Sequence, residues 1–279
     1  MKKITNERIA NFKEYLMEEE KSAATFEKYI RDILAFMKWL HGKSVEKSVV
    51  LEYKQKLIGD YAPSSVNSIL SSLNSFFMFN KWFDCKVKAI KIQKQIFANE
   101  DRELSKAEYE RLLSAAKSRN CEQLYLLMQT ICACGIRVSE LQYITVESLR
   151  LRKAQINLKG KMRVVMLPGK LCKMLLKFSK KKKISSGSVF VTKNGNPLDR
   201  SNIWRMMKSL CKYADVAHHK VFPHNLRHLF ARTFYMLQKD IVRLADILGH
   251  ANINTTRIYT METGATHRRQ IQNLGLLRC

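Results

Sequence analysis

Five side chains of this 279-residue chain have the chemistry needed to cleave a phosphodiester without a metal ion. They are two arginines, two histidines and a tyrosine: Arg137, Arg227, His224, His250 and Tyr259. Arginines bind and neutralise a phosphate, histidines hydrogen-bond it or move protons, and a tyrosine oxygen can be the nucleophile. His224 and Arg227 are one helical turn apart, so they are expected to point at the same site.

Other residues around these five fit supporting roles. Arg137 follows the end of a helix predicted over 122–134, and Glu140 is suited to orient its guanidinium. Two β-rich runs around a short Lys-Gly-Lys turn predict a hairpin. A lysine at such a tip is often only solvated, but it can serve as the general acid for the leaving oxygen. Both Lys159 and Lys161 are candidates.

The charge of the chain predicts a polyanionic partner. The formal net charge is +26, and residues 150–212 contain 18 Lys and Arg residues against a single acidic one. A surface that is merely solvated usually mixes both signs. Nucleic acid is therefore the favoured partner, because phosphate contacts supply most non-specific affinity.

Residues 1–85 predict a helical DNA-binding domain. Apolar residues recur at helical spacing in four segments, the last of which begins at Pro63. The opposite face of this fourth helix consists of serines and asparagines, which are poor helix formers. A solvated face is one interpretation; a face laid against DNA is the favoured one, with contacts from Ser65, Ser68 and Ser72.

The remaining chain predicts a linker and a second domain, so that the fold class is mainly α with a small β-hairpin or sheet. Residues 86–95 alternate basic and apolar side chains, and residues 86–103 predict an extended basic linker, with Lys88 and Lys91 on the DNA backbone. This linker would let two domains clamp opposite sides of a duplex. The predicted elements of the α+β domain at 104–279 are a helix capped at Ser105, the helix over 122–134, a short helix over 138–143, the hairpin, a helix over 170–178, a short strand over 188–192 and a basic helix over 200–213.

Cysteine usage and hydropathy predict an intracellular protein. Seven cysteines are an odd number, scattered through apolar helical patterns, and we expect reduced, packed thiols. The start of the chain lacks the apolar region of a signal peptide, and no stretch approaches the length of a membrane span. Cys132 and Cys134 lack zinc-site spacing, so neither a metal nor a cofactor is expected.

The motifs resemble, in type and order, those of the tyrosine recombinases of the phage-integrase and Xer type. Arg-x-x-Glu-Leu, His-x-Leu-Arg-His, Leu-Gly-His and Tyr-Thr follow the family's order, and His250 and Tyr259 have the family's spacing. Any one of these motifs arises by chance, whereas four in order are specific. The resemblance covers nearly the whole chain and implies a core-binding domain followed by a catalytic domain.

The resemblance also implies roles for the site residues. The tyrosine would form a 3′-phosphotyrosyl link, the arginines would stabilise the pentavalent phosphate, and the histidines would assist. The implied catalytic residues are Arg137, Lys159, His224, Arg227, His250 and Tyr259, supported by Glu140 and Lys161. Lys159 matches the family's Lys-Gly turn, but the turn is short, so Lys161 remains the alternative. The phosphotyrosine conserves the bond energy, so religation would need no metal and no ATP.

The expected function is site-specific DNA recombination, either integration and excision or resolution of DNA elements. The expected partners are double-stranded core sites and, on DNA, the other copies of a homotetramer, with a monomer or weak self-association without DNA. The expected location is cytoplasmic and nucleoid-associated, without a membrane. About 100 residues precede the catalytic domain, as in two-domain Xer-like enzymes. The alternatives are type IB-like cleavage and religation of one duplex, and an inactive DNA-binding relative.

Overall fold

The computed structural model describes residues 1–92, 100–158, 161–260 and 272–273. The chain divides into two units, Met1–Lys94 and Gln95–Cys279. Each unit buries its own apolar cluster, so each has the core that an independent domain requires. Among the described residues, no helix is both long and apolar enough to cross a lipid bilayer.

The described part of the first unit contains four α-helices, as the apolar periodicity predicts. Their bounds are α1 Asn6–Glu18, α2 Ala23–Leu40, α3 Lys47–Asp60 and α4 Pro63–Phe79. Thr5 caps α1 by accepting a hydrogen bond from the backbone of Arg8, and Pro63 occupies the first turn of α4. Aromatic rings dominate the core, where Phe12 and Phe76 meet edge to face with centroids 5.2 Å apart.

The asparagines on the polar face of α4 bind the chain segment that follows the helix. Asn67 donates to the carbonyl of Ile90 (2.9 Å) and accepts from its N–H (2.7 Å). Asn74 does the same with Val87, at 2.9 and 3.1 Å. The register fits, because seven helical residues and three extended residues both span about 10 Å. The side chains of α4 thus replace a partner strand for the basic linker.

The prediction that Ser72 contacts DNA is wrong. It is fully buried, and its hydroxyl donates to the carboxylate of Asp32 at 2.7 Å. Lys28 completes the group, with its ammonium 2.6 Å from Asp32 and 2.8 Å from the Ser72 hydroxyl. A buried carboxylate needs such partners, and supplying them is the role of Ser72.

The second unit packs helices around one antiparallel hairpin. Its principal elements are α5 Lys106–Ser118, α6 Glu122–Cys134, a 3₁₀ helix Val138–Tyr143, α7 Val146–Arg150, β1 Lys153–Leu158, β2 Lys161–Met166, α8 Gly169–Lys181, α9 Arg200–Lys208, α10 Cys211–Ala214, α11 Pro223–Gln238, α12 Ile241–Leu248 and a 3₁₀ helix Arg257–Tyr259. The predicted capping box of Ser105 and Glu108 is present at the start of α5. The hairpin is confirmed, with Ala154 opposite Val165.

Two predicted elements of this unit are wrong. The residues over 188–192 form isolated bridges, Thr145 with Ser188 and Val191 with Pro197, instead of a strand. The helix predicted over 200–213 is divided into α9 and α10. At the break, the N–H of Leu210 donates to the carbonyl of Met207, three residues back, instead of four residues back as in an α-helix.

The described cysteines fit the expectation of packed thiols. Six cysteines are free, and Cys85, Cys134, Cys172 and Cys211 are buried. Burial raises the pKa of Cys134 to about 12, which keeps the thiol protonated and unreactive.

Candidate active site

Helix α11 supplies three of the polar groups at the candidate site. Pro223 starts the helix, so His224, Arg227 and His228 follow within its first two turns at helical spacing. Arg227 is only 2% exposed, and no other fully buried side chain in the described chain is larger. A buried guanidinium needs hydrogen-bond acceptors for its N–H groups, and the acceptors of Arg227 show which other segments meet at the site.

The acceptors of Arg227 come from the ends of two other helices. Its guanidinium donates to the carbonyl of Gly135 at 2.6 Å and to that of Leu248 at 2.8 Å. These carbonyls lie at the C-terminal ends of α6 and α12, where helical carbonyls lack intrahelical partners. Arg227 therefore joins the segment leading to Arg137 to the segment leading to His250.

Glycines end both helices for two physical reasons. Gly135 and Gly249 have φ values of +61° and +63°, in the left-handed region. A Cβ at Gly135 would lie 2.3 Å from the ring of Phe230, and one at Gly249 would lie 2.6 Å from Cδ of Arg163. Both positions thus need glycine for conformation and for space, which allows the chain to turn sharply beside the site.

A buried carboxylate orients the other arginine. Glu140 is 1% exposed, and its Oε1 accepts from Nη1 of Arg137 at 2.9 Å. Its Oε2 accepts from the backbone N–H of Arg137 at 2.7 Å and from Nη2 of Arg163 at 2.6 Å. The Arg137 side chain nevertheless stays 41% exposed. Arg137 is thus held from behind while its guanidinium remains accessible.

The partners of His250 determine its protonation. Nη2 of Arg227 can only donate, so Nε2 of His250, 3.0 Å away, must be the acceptor. Nδ1 then carries the proton and donates to the hydroxyl of Thr256 at 2.8 Å. The structure therefore requires a neutral His250 in the Nδ1–H tautomer.

Rings pack around Tyr259, which is 4% exposed. The ring of His228 meets it edge-on at a centroid distance of 4.7 Å, and the ring of His250 stacks at 6.1 Å. His228 also contacts the ring of His224 at 4.6 Å. His228 therefore lies between His224 and Tyr259.

Burial, together with the clustered positive charge, lowers the pKa of the basic groups at the site. Burial, followed by the neighbouring Arg137, lowers the pKa of Arg227 to about 10. Burial and nearby positive charges lower the pKa of His228 and of His250 to about 4. Loss of hydration and the charge of Arg227 also lower the pKa of His224. At neutral pH the arginines carry the charge and the histidines are neutral.

Glu140 stays ionised among these groups. Its burial alone would raise the pKa, but the hydrogen bonds from the Arg137 backbone and from Arg163, with the charge of Arg163, lower it below the ordinary value. A neighbouring cavity of about 690 Å³ is lined by Arg137, Arg163, His250 and Asn252, among others. It is concave, positively charged and wide enough for a phosphate group.

The structure brings five predicted residues together: Arg137, Glu140, Arg227, His250 and Tyr259, with His224 connected through the ring of His228. Lys159 lies outside the described residues, and of Lys161 only its position at the start of β2 is described. In the first unit, Ser65, Ser68, Lys88 and Lys91 are exposed. Among the described residues, no group of three or more His, Cys, Asp or Glu side chains is placed to hold a metal.

Sequence reasoning missed three residues of the cluster: Arg163, His228 and Thr256. Arg163 stands on an inward position of a strand, where its charge was counted only as part of the basic surface. His228 is the last residue of the His-x-Leu-Arg-His motif and lies one helical turn after His224 on α11, and these were the available signals for it. Thr256 is fully buried three residues before Tyr259, a position that no motif identifies.

Comparison with known proteins identifies the family. Residues 102–265 match the model of the phage integrase family, and residues 9–83 match the N-terminal SAM-like domain of phage integrases. Tyrosine recombinase XerA of Pyrococcus horikoshii is 29% identical over 284 residues, which cover 98% of this chain and 95% of the relative. Tyrosine recombinase XerH of Campylobacter jejuni is 31% identical over 256 residues, covering 84% of this chain and 72% of the relative.

A solved structure extends the similarity to the fold. The lambda integrase tetramer bound to a Holliday junction has a TM-score of 0.72 and 18% identity, over 91% of this chain and 76% of that one. The fold and the family models together place this chain among the DNA strand-exchange enzymes. It belongs to the phage integrase family and is a tyrosine recombinase, an enzyme of site-specific DNA recombination.

Proposed function

We propose that Tyr259 attacks the scissile phosphate of a DNA core site and forms a 3′-phosphotyrosyl intermediate. The observation that carries the proposal is the position of Arg227, which binds the helix ends leading to Arg137 and His250 and lies beside Tyr259. A tyrosine attacking a phosphodiester needs positive charge at the phosphate and a path for its proton. This cluster offers both.

In the proposed reaction the arginines bind the nonbridging oxygens of the phosphate. Arg137 meets the phosphate first, because its side chain is 41% exposed while Arg227 is 2% exposed. As charge develops on the pentavalent phosphate, preorganised guanidinium groups stabilise it without reorganisation. Glu140 holds Arg137 in this orientation.

The neutral histidines assist by accepting and donating hydrogen bonds. His224, on the exposed side of α11, is suited to accept the tyrosine proton or to bond the phosphate. His250 accepts from Arg227 in the DNA-free form, and a bound phosphate would offset the positive charge that keeps both histidines neutral. A lysine of the hairpin, Lys159 or Lys161, would protonate the leaving 5′ oxygen.

The proposal extends to the assembly on DNA. Lambda integrase forms a tetramer on a Holliday junction, and exchange of strands between two duplexes requires four nucleophiles. We infer that this chain acts as a homotetramer on core sites, with exposed Ser65, Ser68, Lys88 and Lys91 of the first unit contacting DNA. Association with chromosomal DNA in the nucleoid follows from this function and is part of the proposal.

The test is covalent capture on a nicked suicide duplex drawn from the DNA that flanks the gene. The wild-type chain is expected to form a protein–DNA adduct that resists denaturation, and Tyr259→Phe is expected to form none. The matched control is Tyr235→Phe, a tyrosine in the same apolar cluster, which should keep the adduct. An adduct formed by Tyr259→Phe at the wild-type rate would refute the assignment of the nucleophile.

A further inference from the structure

Arg163 occupies an inward position on the hairpin strand β2, paired with Ile156. Its strand neighbours Met162 and Val164 are 73% and 56% exposed, whereas the side chain of Arg163 is 15% exposed. Side chains alternate along a strand, so Arg163 takes a place that an apolar residue usually fills. A long cation in that place calls for a specific explanation.

Arg163 contacts both the segment that carries Arg137 and the segment that carries His250. Nη2 donates to Oε2 of Glu140 at 2.6 Å, and Nη1 donates to the carbonyl of Ile247. Its Cδ and Nε lie against Gly249, immediately before His250. Arg163 therefore contacts the carboxylate that orients Arg137 and the turn that carries His250.

The geometry argues against a role in packing alone. The Nε of Arg163 is buried and has no hydrogen-bond partner among the described residues. A residue selected only to fill the core would not leave a buried donor unpaired, because that is costly. The free-energy penalty of the unpaired Nε is tolerated here because the other two nitrogens make hydrogen bonds that the site needs.

The charges explain what Arg163 supplies. Glu140 lies 2.9 Å from a nitrogen of Arg137 and 4.0 Å from one of Arg227. Without a third cation, this single carboxylate would compete with a phosphate for both arginines. Arg163 neutralises it from behind, so Arg137 and Arg227 keep their positive charge for a ligand in the cavity.

We propose that Arg163 is a positioning residue for DNA cleavage, acting through Glu140 on Arg137 and through the Ile247–Gly249 turn on His250. The proposal rests on the proposed function, since it assumes that Arg137 binds the scissile phosphate. Arg163 lines the cavity, but its two terminal nitrogens are bonded to Glu140 and to the carbonyl of Ile247. Its role is therefore to set the orientation and the charge of the groups that bind the phosphate.

The test measures single-turnover cleavage of the suicide duplex at saturating DNA. Arg163→Met is expected to lower the cleavage rate about 10- to 100-fold with less than about a threefold change in DNA affinity, as for other orienting partners. Arg163→Lys keeps the charge but lacks the planar guanidinium that bonds two partners at once, so its cleavage rate should lie between those of Arg163→Met and the wild type. The control is Lys153→Met, an exposed cation on the same hairpin, which should cleave at the wild-type rate.

A second substrate separates action through Arg137 from action through the hairpin lysine. A 5′-bridging phosphorothiolate has a leaving group that needs no general acid, so it restores cleavage to whichever of Lys159→Ala and Lys161→Ala is defective. Arg163→Met should stay slow on this substrate. Restoration to the wild-type rate would overturn the proposal, because Arg163 would then act by placing the lysine.

A double variant and a small-molecule rescue guard against a folding defect. If Arg163 acts through Glu140, adding Arg163→Met to Glu140→Gln should cost much less than Arg163→Met alone. Methylguanidine at millimolar concentration should accelerate Arg163→Ala and leave the wild type unchanged. Additive losses without rescue, or cleavage by Arg163→Met within threefold of wild type, would overturn the proposal. Failure of the wild type to form an adduct would instead refute the proposed function.

Discussion

The polar face of α4 and the arginine–histidine cluster of the second unit both concentrate polar side chains, but they use them in opposite ways. On α4, Asn67 and Asn74 bond the backbone of the linker, and Ser72 bonds a buried carboxylate. In the cluster, Arg137 is held from behind by Glu140 and keeps 41% of its side chain exposed beside a cavity. Asn67, Asn74 and Ser72 thus make their hydrogen bonds within the first unit, whereas the cluster of the second unit presents a free positive charge to an anion.

The difference shows what a polar helical face can and cannot indicate. Serine and asparagine offer the same donors and acceptors to a DNA phosphate and to a neighbouring backbone, so their presence does not distinguish the two. Arginines gathered within one site repel each other, and after burial the charge of Arg137 is the next cause of the lowered pKa of Arg227. Such an arrangement is unfavourable without a ligand, which makes it the stronger indicator of function.

The largest predicted effects concern the two arginines of the cluster, which should be alike in cleavage and differ in thermal stability. Arg227→Ala and Arg137→Ala should each lower cleavage about a thousandfold, because each removes a preformed cation from the phosphate site. Arg227→Ala should also lower the melting temperature by at least ~5 °C, since it leaves the carbonyls of Gly135 and Leu248 unpaired and buried. Single-turnover cleavage and thermal melting measure the two effects.

Arg137→Ala should change the melting temperature by less than ~2 °C, because Glu140 keeps its bond to Arg163. An equal loss of melting temperature in both variants would contradict the distinction between a buried, structural arginine and an exposed one.

A smaller effect should appear as acid sensitivity of the cluster. His228 and His250 have pKa values of about 4 in the folded chain, below their ordinary value of 6.5. The unfolded chain therefore binds protons that the folded chain does not. Their contribution to stability is complete above pH 6.5 and is lost as the pH falls from 6.5 towards 4. The loss between pH 6 and 5 is roughly 1 kcal/mol for His228 and smaller for His250, which solvent screens more.

Urea unfolding of wild type and His228→Gln between pH 7 and 4.5 checks this linkage. The free energy of unfolding of the variant should fall less steeply over that range. Parallel curves for the two proteins would mean that His228 has the same pKa in the folded and unfolded states, contrary to its burial beside Arg227.

The smallest effects should distinguish serines along α4. Ser72→Ala should lower the stability of the first unit by about 1–2 kcal/mol, because it removes a buried hydrogen bond to a carboxylate. Ser68→Ala, on the exposed side, should leave stability within ~0.5 kcal/mol and weaken DNA binding less than threefold. Unfolding followed by the fluorescence of Trp39 and Trp82, together with DNA titration, gives both numbers. Weaker DNA binding by Ser72→Ala without loss of stability would restore the original prediction for that residue.

Helices and hairpin were predictable because their signals are local. Periodicity and end signals such as Pro63 and Ser105 depend on residues within a few positions of one another. The errors occurred where a local signal was weak. The run over 188–192 has the composition of a strand but forms only isolated bridges, and the apolar pattern over 200–213 continues across the break between α9 and α10.

The sequence by itself determined the family and the principal site residues, because a reaction at phosphorus needs particular groups and the chain keeps them in one order and spacing. Only the tertiary structure decided which groups meet. Arg163 reaches Glu140 across 23 residues, and Arg227 reaches Gly135 across 92. Such partnerships depend on how helix ends and a strand pack together, and burial makes each of them obligatory. Ser72 and the asparagines of α4 likewise find their hydrogen-bond partners within the first unit, whereas Arg137 faces the cavity.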